Sequence, residues 1–107
     1  MVEYTLSLDD VFGSLADPTR RDILQRVSLS ELSVSDIAAP YDISLAAVSK
    51  HLKILEKAKL VMKRRRGKQY LVQASPLAFK DATDYLEQYA QLLNERMDSL
   101  ENYLREE

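Results

Sequence analysis

A chain of 107 residues without cysteine is expected to hold a single domain, 1–107, with no disulfide, no thiolate metal ligand and no cysteine redox switch. No apolar run nears the roughly 20 residues that span a bilayer, and no signal-peptide pattern opens the chain, so a cytoplasmic protein with no membrane partner is expected. Its 15 Lys and Arg nearly cancel 17 Asp and Glu, for a net charge of −2, and only 2 glycines and 3 prolines point to a mostly helical chain.

In chain order, Ser7, Asp9 and Asp10 open a short helix to about Leu15, with Leu8, Val11, Phe12 and Leu15 on one face. Asp17 and Pro18 start a second helix as N-cap and first helical residue, and Ile23, Leu24 and Val27 turn to a core. Ser33 to Asp36 resembles a capping box and leads a third helix through Ile37, Ala38 and Ala39 to Pro40. After a turn at Asp42, Ile43 and Ser44, a fourth helix runs from about Leu45 to Ala58 with Ser44 as its cap. Two short helices joined by a tight turn form a helix-turn-helix, with the second helix as the reader. Residues 60–74 change character to two strand-like runs around Arg66 and Gly67, a hairpin with glycine where positive φ is easiest. Helix followed by basic hairpin is the plan of a winged helix-turn-helix: mainly α with a small β-hairpin, the wing at about 60–74.

Charge is segregated onto that unit. Residues 45–70 hold nine positive charges against Glu56 alone, whereas 1–44 and 76–107 each hold three positives and eight negatives. A cluster of this density attracts a polyanion, because each cation near a phosphate releases condensed counterions. A merely soluble surface would mix the two signs. Stepping residues 45–58 by 100° puts Leu45, Val48, Leu52 and Leu55 on a core stripe within about 80°. The opposite arc holds Ala46, Lys50, Lys53 and Lys57, with Ala47 and Ser49 on its margins. Small residues at 46 and 47 allow close approach to a duplex, and Ser44 and Ser49 suit phosphates or base edges. Lys50, central on the arc, is the residue expected to reach a base, a phosphate contact being the alternative. His51 flanks the stripe as a packing or phosphate-contact residue; with no second histidine or cysteine it makes no metal site. Arg64, Arg65, Arg66 and Lys68 on the wing are expected to touch phosphates, with minor-groove insertion open to one arginine.

From Ser75 and Pro76 a last helix runs to about Arg105. Its apolar stripe includes Leu86, Tyr89, Leu93, Met97, Leu100 and Leu104 within an arc of roughly 120°, interrupted by Arg96. Some 28 residues make about 42 Å of helix, longer than so small a domain covers. The stripe is therefore expected to pair two copies into a homodimer, with reading helices one DNA turn apart.

The blocks "LADPTRRDIL", "ELSVSDIA", "ISLAAVSKHLKILEKAKLV" and "RRRGKQYLV" resemble successive parts of ArsR-type (ArsR/SmtB) winged helix-turn-helix repressors over about residues 8–74. The resemblance implies a homodimeric repressor on an inverted-repeat operator in double-stranded DNA, released by a signal that it leaves open, small molecule or partner protein. The metal-sensing branch carries cysteines where this chain has Ser33 and Ser35, and its other site needs a histidine in the last helix, where residues 76–107 have none. Lys59 stands in place of the glycine usual after the reading helix, at a left-handed position costing about 1 kcal/mol. A non-metal repressor without cofactor is therefore the expectation. The alternatives are a metalloregulator with oxygen and histidine ligands, or a non-specific architectural DNA binder. No catalytic constellation is present, since no serine has a histidine partner outside the reading helix and no glycine loop cradles phosphate.

Overall fold

The computed structural model describes residues 2–106, with side chains from Leu8 onward. In these residues the order is α1 (Val2–Leu15), α2 (Pro18–Leu29), β1 (Leu32–Ser33), α3 (Val34–Ala38), α4 (Leu45–Lys57), β2 (Val61–Arg66), β3 (Gln69–Ala74) and α5 (Leu77–Glu106). The three caps named from sequence do their work. Asp17 accepts from the Arg20 N–H (3.0 Å), Ser33 from Asp36 (3.1 Å) and Ser44 from Ala47 (3.1 Å). Each satisfies an orphan helix donor, and removing one costs about 1 kcal/mol.

α1 begins earlier than expected, at Val2 rather than near Ser7. Residues 2–6 contain no proline or glycine to stop a helix, so the acidic turn at Asp9 and Asp10 lies inside it. The Ser7 side chain lies outside the described ones.

β2 and β3 pair antiparallel from Val61↔Ala74 to Arg66↔Gln69, closed by Gly67 and Lys68 with Gly67 at φ 62°. A strand missed from sequence joins them: β1 pairs β3 through Leu32↔Val72 and Ser33↔Leu71, giving sheet order β1-β3-β2. Ile23, Ile37, Leu52, Leu55, Leu60 and Val72 are removed from water in one core between this sheet and the helices.

α4 ends in a two-bond C-terminal lock. Leu60 N donates to Leu55 O (3.1 Å) and Lys59 N to Glu56 O (3.0 Å), with Lys59 at φ 62°. That is a Schellman motif with lysine at the left-handed residue, where glycine is usual. Leu55 and Leu60, which bracket it, are both buried. Replacing Lys59 with glycine removes the Cβ clash but frees the unfolded chain. The net expectation for Lys59→Gly is a stabilisation of about 0.5–1 kcal/mol, read as a higher urea midpoint at unchanged slope.

One expectation fails inside α4. Val48, Leu52 and Leu55 face the core, but Leu45 is 57% exposed. A helical side chain leans back over the turn before it. Leu45 is the first helical residue, so it leans past the helix end instead of onto the core.

α5 has 30 residues, about 45 Å of helix. Only Ala78 and Ala82 are buried, and Phe12 of α1 meets Tyr85 with ring centroids 6.1 Å apart. From Leu86 to Glu106 every residue is exposed, so this end projects from a molecule 67 Å long and 32 × 21 Å across.

Candidate nucleic-acid interface

The helix-turn-helix is α3 and α4, and α2 holds it in place. Arg26 donates to the carbonyls of Ile37 (2.8 Å) and Asp36 (2.9 Å), closing the C-terminal end of α3. Its guanidinium also lies over the Tyr41 ring, 5.4 Å from the centroid. The Tyr41 phenol donates to the Asp22 carboxylate, and burial together with that bond pushes the phenol above its ordinary pKa. α3 is thus tied to α2 by two hydrogen bonds, and the turn after it by the ring and phenol of Tyr41.

The start of α2 ties α4 to α1. Arg20 donates from Nε to Ser14 O (2.8 Å), from Nη2 to Gly13 O (3.2 Å) and from Nη1 to His51 Nδ1 (3.2 Å). A guanidinium has only protons to offer, so His51 Nδ1 is the acceptor and the imidazole carries its hydrogen on Nε2. The Asp17 carboxylate stands 4.0 Å from the same nitrogen, and the Arg20 backbone N–H holds that carboxyl below its ordinary pKa. His51 is therefore a strut between α4 and the α1–α2 corner.

The arc opposite the core bears Ala46, Lys50, Lys53 and Lys57, all exposed. Among the described residues, Lys50, Lys53, Lys57 and Lys68 have no carboxylate within ion-pair distance. The three arginines of residues 1–44 behave oppositely. Arg20 and Arg26 are spent on carbonyls as above, and Arg21 donates to Leu15 O (2.8 Å). Cations that look alike in a charge count thus divide into fasteners and free charges.

A helix-turn-helix domain family matches residues 15–64. YuzN of Bacillus subtilis, an uncharacterized HTH-type transcriptional regulator, is 41% identical over 68 residues, covering 56% of this chain and 73% of that protein. The transcriptional repressor SdpR of the same organism is 29% identical over 79 residues, covering 74% and 88%. A crystal structure of an ArsR family transcriptional regulator superposes with TM-score 0.79 at 29% identity, over 84% of this chain and 93% of that one. The chain belongs to the ArsR-type family of winged helix-turn-helix, DNA-binding transcriptional regulators.

In this ArsR-type regulator the wing cations are not equivalent. Arg64 donates twice to Glu31, at 2.8 and 2.7 Å, a bidentate pair between β2 and the α2–β1 corner. Those hydrogen bonds hold the Glu31 carboxyl below its usual range and push the guanidinium up. Arg64 is a fastener. Arg65 folds back to Gly67 O (3.1 Å), while Arg66 is exposed on the strand face of Arg64. Alternation along β2 puts Val61, Lys63 and Arg65 on the side toward α4. Lys63 lies over the Tyr70 ring (5.7 Å). With Leu45, Ser49 and Lys68 these two line a groove of about 270 Å³ between the start of α4 and the wing. The charge count includes Lys63 without giving it a site; period-two alternation from buried Val61 was the signal for it.

Ser44 keeps its place at the helix start with its oxygen committed to the cap. Ala47 and Ser49 are half-buried on opposite margins of the arc. Leu86, Tyr89, Leu93, Met97, Leu100 and Leu104 lie far from this face, on α5, each between 50% and 68% exposed.

Proposed function

We propose that the protein is a homodimeric, sequence-specific repressor that responds to no metal through the family's cysteine site. Two copies join along the α5 stripe and set two α4 helices in successive major grooves of an inverted-repeat operator, with the wings on the flanking backbone. The observation that carries this is a pair of exposed faces on one short chain: Lys50, Lys53, Lys57 and Lys68 without carboxylate partners on α4 and the wing, and eight large apolar side chains on α5 from Leu86 to Leu104. The first suits a polyanion, whose condensed counterions it would release. The second is a contiguous apolar surface of the kind that marks an interface.

The name of SdpR, a transcriptional repressor, favours repression as the outcome of binding. Ser33 supports the non-metal reading: its hydroxyl caps α3 by accepting from Asp36, and a hydroxyl is a poor ligand for soft metals. Residues 76–107, without histidine, add no ligand of that kind.

Selection of bound DNA from a random pool tests this directly. The expected product is a two-fold symmetric site with half-site centres about 34–36 Å apart. Its affinity should be unchanged by zinc, cadmium or arsenite. Recovery of no consensus would exclude specific reading, and metal-dependent release at micromolar affinity would exclude the non-metal branch.

A further inference from the structure

Leu45 is an exposed apolar side chain at the edge of the α4 arc that carries Ala46, Ser49, Lys50 and Lys53. It is 57% exposed, and Ile43, just before the cap, is 42% exposed. It takes no part in the core cluster. Instead it lines the groove between the start of α4 and the wing, beside Ser49, Lys63, Lys68 and Tyr70. At 100° per residue, Leu45 and Ser49 lie about 40° apart on the wing-side margin of the arc that carries Lys50 and Lys53.

We propose that Leu45 is a specificity-determining residue that packs on the 5-methyl group of a thymine in each half-site. The inference rests on the operator-binding reading above. A helix-turn-helix presents the N-terminal residues of its second helix to base edges, and Leu45 is the first residue of α4. Of the edges shown in the major groove, only thymine offers an apolar group, its C5-methyl. A leucine on that methyl buries apolar surface on both partners. The same leucine over a cytosine amino group or a guanine carbonyl would strip water from a polar atom and give it no partner. The cations around it set the position without choosing the base. Lys68 and Lys63 on the wing attract the backbone beside it, and phosphates carry no sequence. Leu45 supplies the selection those charges lack.

The test uses the full chain and the operator obtained by selection. Each thymine is replaced in turn by deoxyuridine, which removes the methyl and leaves the pairing edge intact. Affinity is then measured for the natural protein and for Leu45→Ala. One thymine per half-site should prove sensitive, its demethylation weakening the natural protein about fourfold per half-site, the transfer value of a methyl group. Leu45→Ala should bind the parent operator more weakly and be indifferent to that methyl. Because Leu45 is outside the core, the variant should keep its thermal midpoint, and a second selection with it should lose the thymine at that position alone. Operator preference retained with every deoxyuridine tolerated, or an equal methyl effect in Leu45→Ala, would overturn the role of Leu45 and leave the repressor reading standing. Equal affinity for operator and random DNA would overturn both.

Discussion

Leu93→Asp is expected to give a monomer that folds its core normally and has lost its hold on a two-half-site operator. Leu93 is 57% exposed, and no residue from Leu86 to Glu106 is buried in its own chain. A charge there costs the isolated fold nothing in packing. In the proposed dimer it would enter an apolar seam beside Tyr89, Met97 and Leu100, where an unpaired carboxylate costs several kcal/mol. Breaking the pairing turns one bivalent binder into two monovalent ones, a loss of roughly 10²–10⁴ in apparent affinity. Sedimentation at micromolar concentration should report 12.3 kDa. Binding to a single half-site should be unaltered, because α4 and the wing lie elsewhere. The far-UV helix signal should fall slightly, since an unpacked α5 tail is marginal in water and frays. A variant that stays dimeric would place the interface elsewhere than this stripe.

What could be read from the sequence follows a physical division between local and non-local signals. The caps at Asp17, Ser33 and Ser44, the glycine turn of the wing and the left-handed Lys59 depend on neighbours a few residues away, and all five were legible. The α5 stripe and the lysine arc are periodic and equally visible. β1 is two residues long, too short for any period, and exists only because Val72 and Leu71 lie beside it. The fastening role of Arg64 depends on Glu31, 33 positions away, and that of Arg20 on His51, 31 positions away. A charge count cannot separate such residues from free cations. Leu45 misled for a different reason. A helical wheel assumes a complete turn beneath every residue, and the first residue has none.

The division into fasteners and free cations sets the salt response of operator binding. Lys50, Lys53, Lys57 and Lys68 are exposed and unpaired in each subunit, whereas Arg64 is already neutralised by Glu31. Two subunits bring eight of these lysines, and a slope near −0.9 per neutralised phosphate gives log K against log salt of about −7 with Lys50 on a phosphate and about −5 with Lys50 on a base. From 50 to 200 mM salt the affinity should therefore fall about 10³–10⁴-fold, measured by fluorescence anisotropy on a labelled operator. The two central lysines should then separate. Lys53→Ala removes two phosphate contacts per dimer, so it should flatten the slope by about 2 and weaken operator and random DNA alike. Lys50→Ala should cost about 1–3 kcal/mol on the operator and much less on random DNA, with little change in slope, if Lys50 reads a base. Equal losses on both duplexes would make Lys50 a phosphate contact, and base choice would pass to Ser49 and Leu45 on the margin of the same arc. A slope shallower than about −4 in the natural protein would be too small for the lysine face to lie along the backbone in both subunits at once.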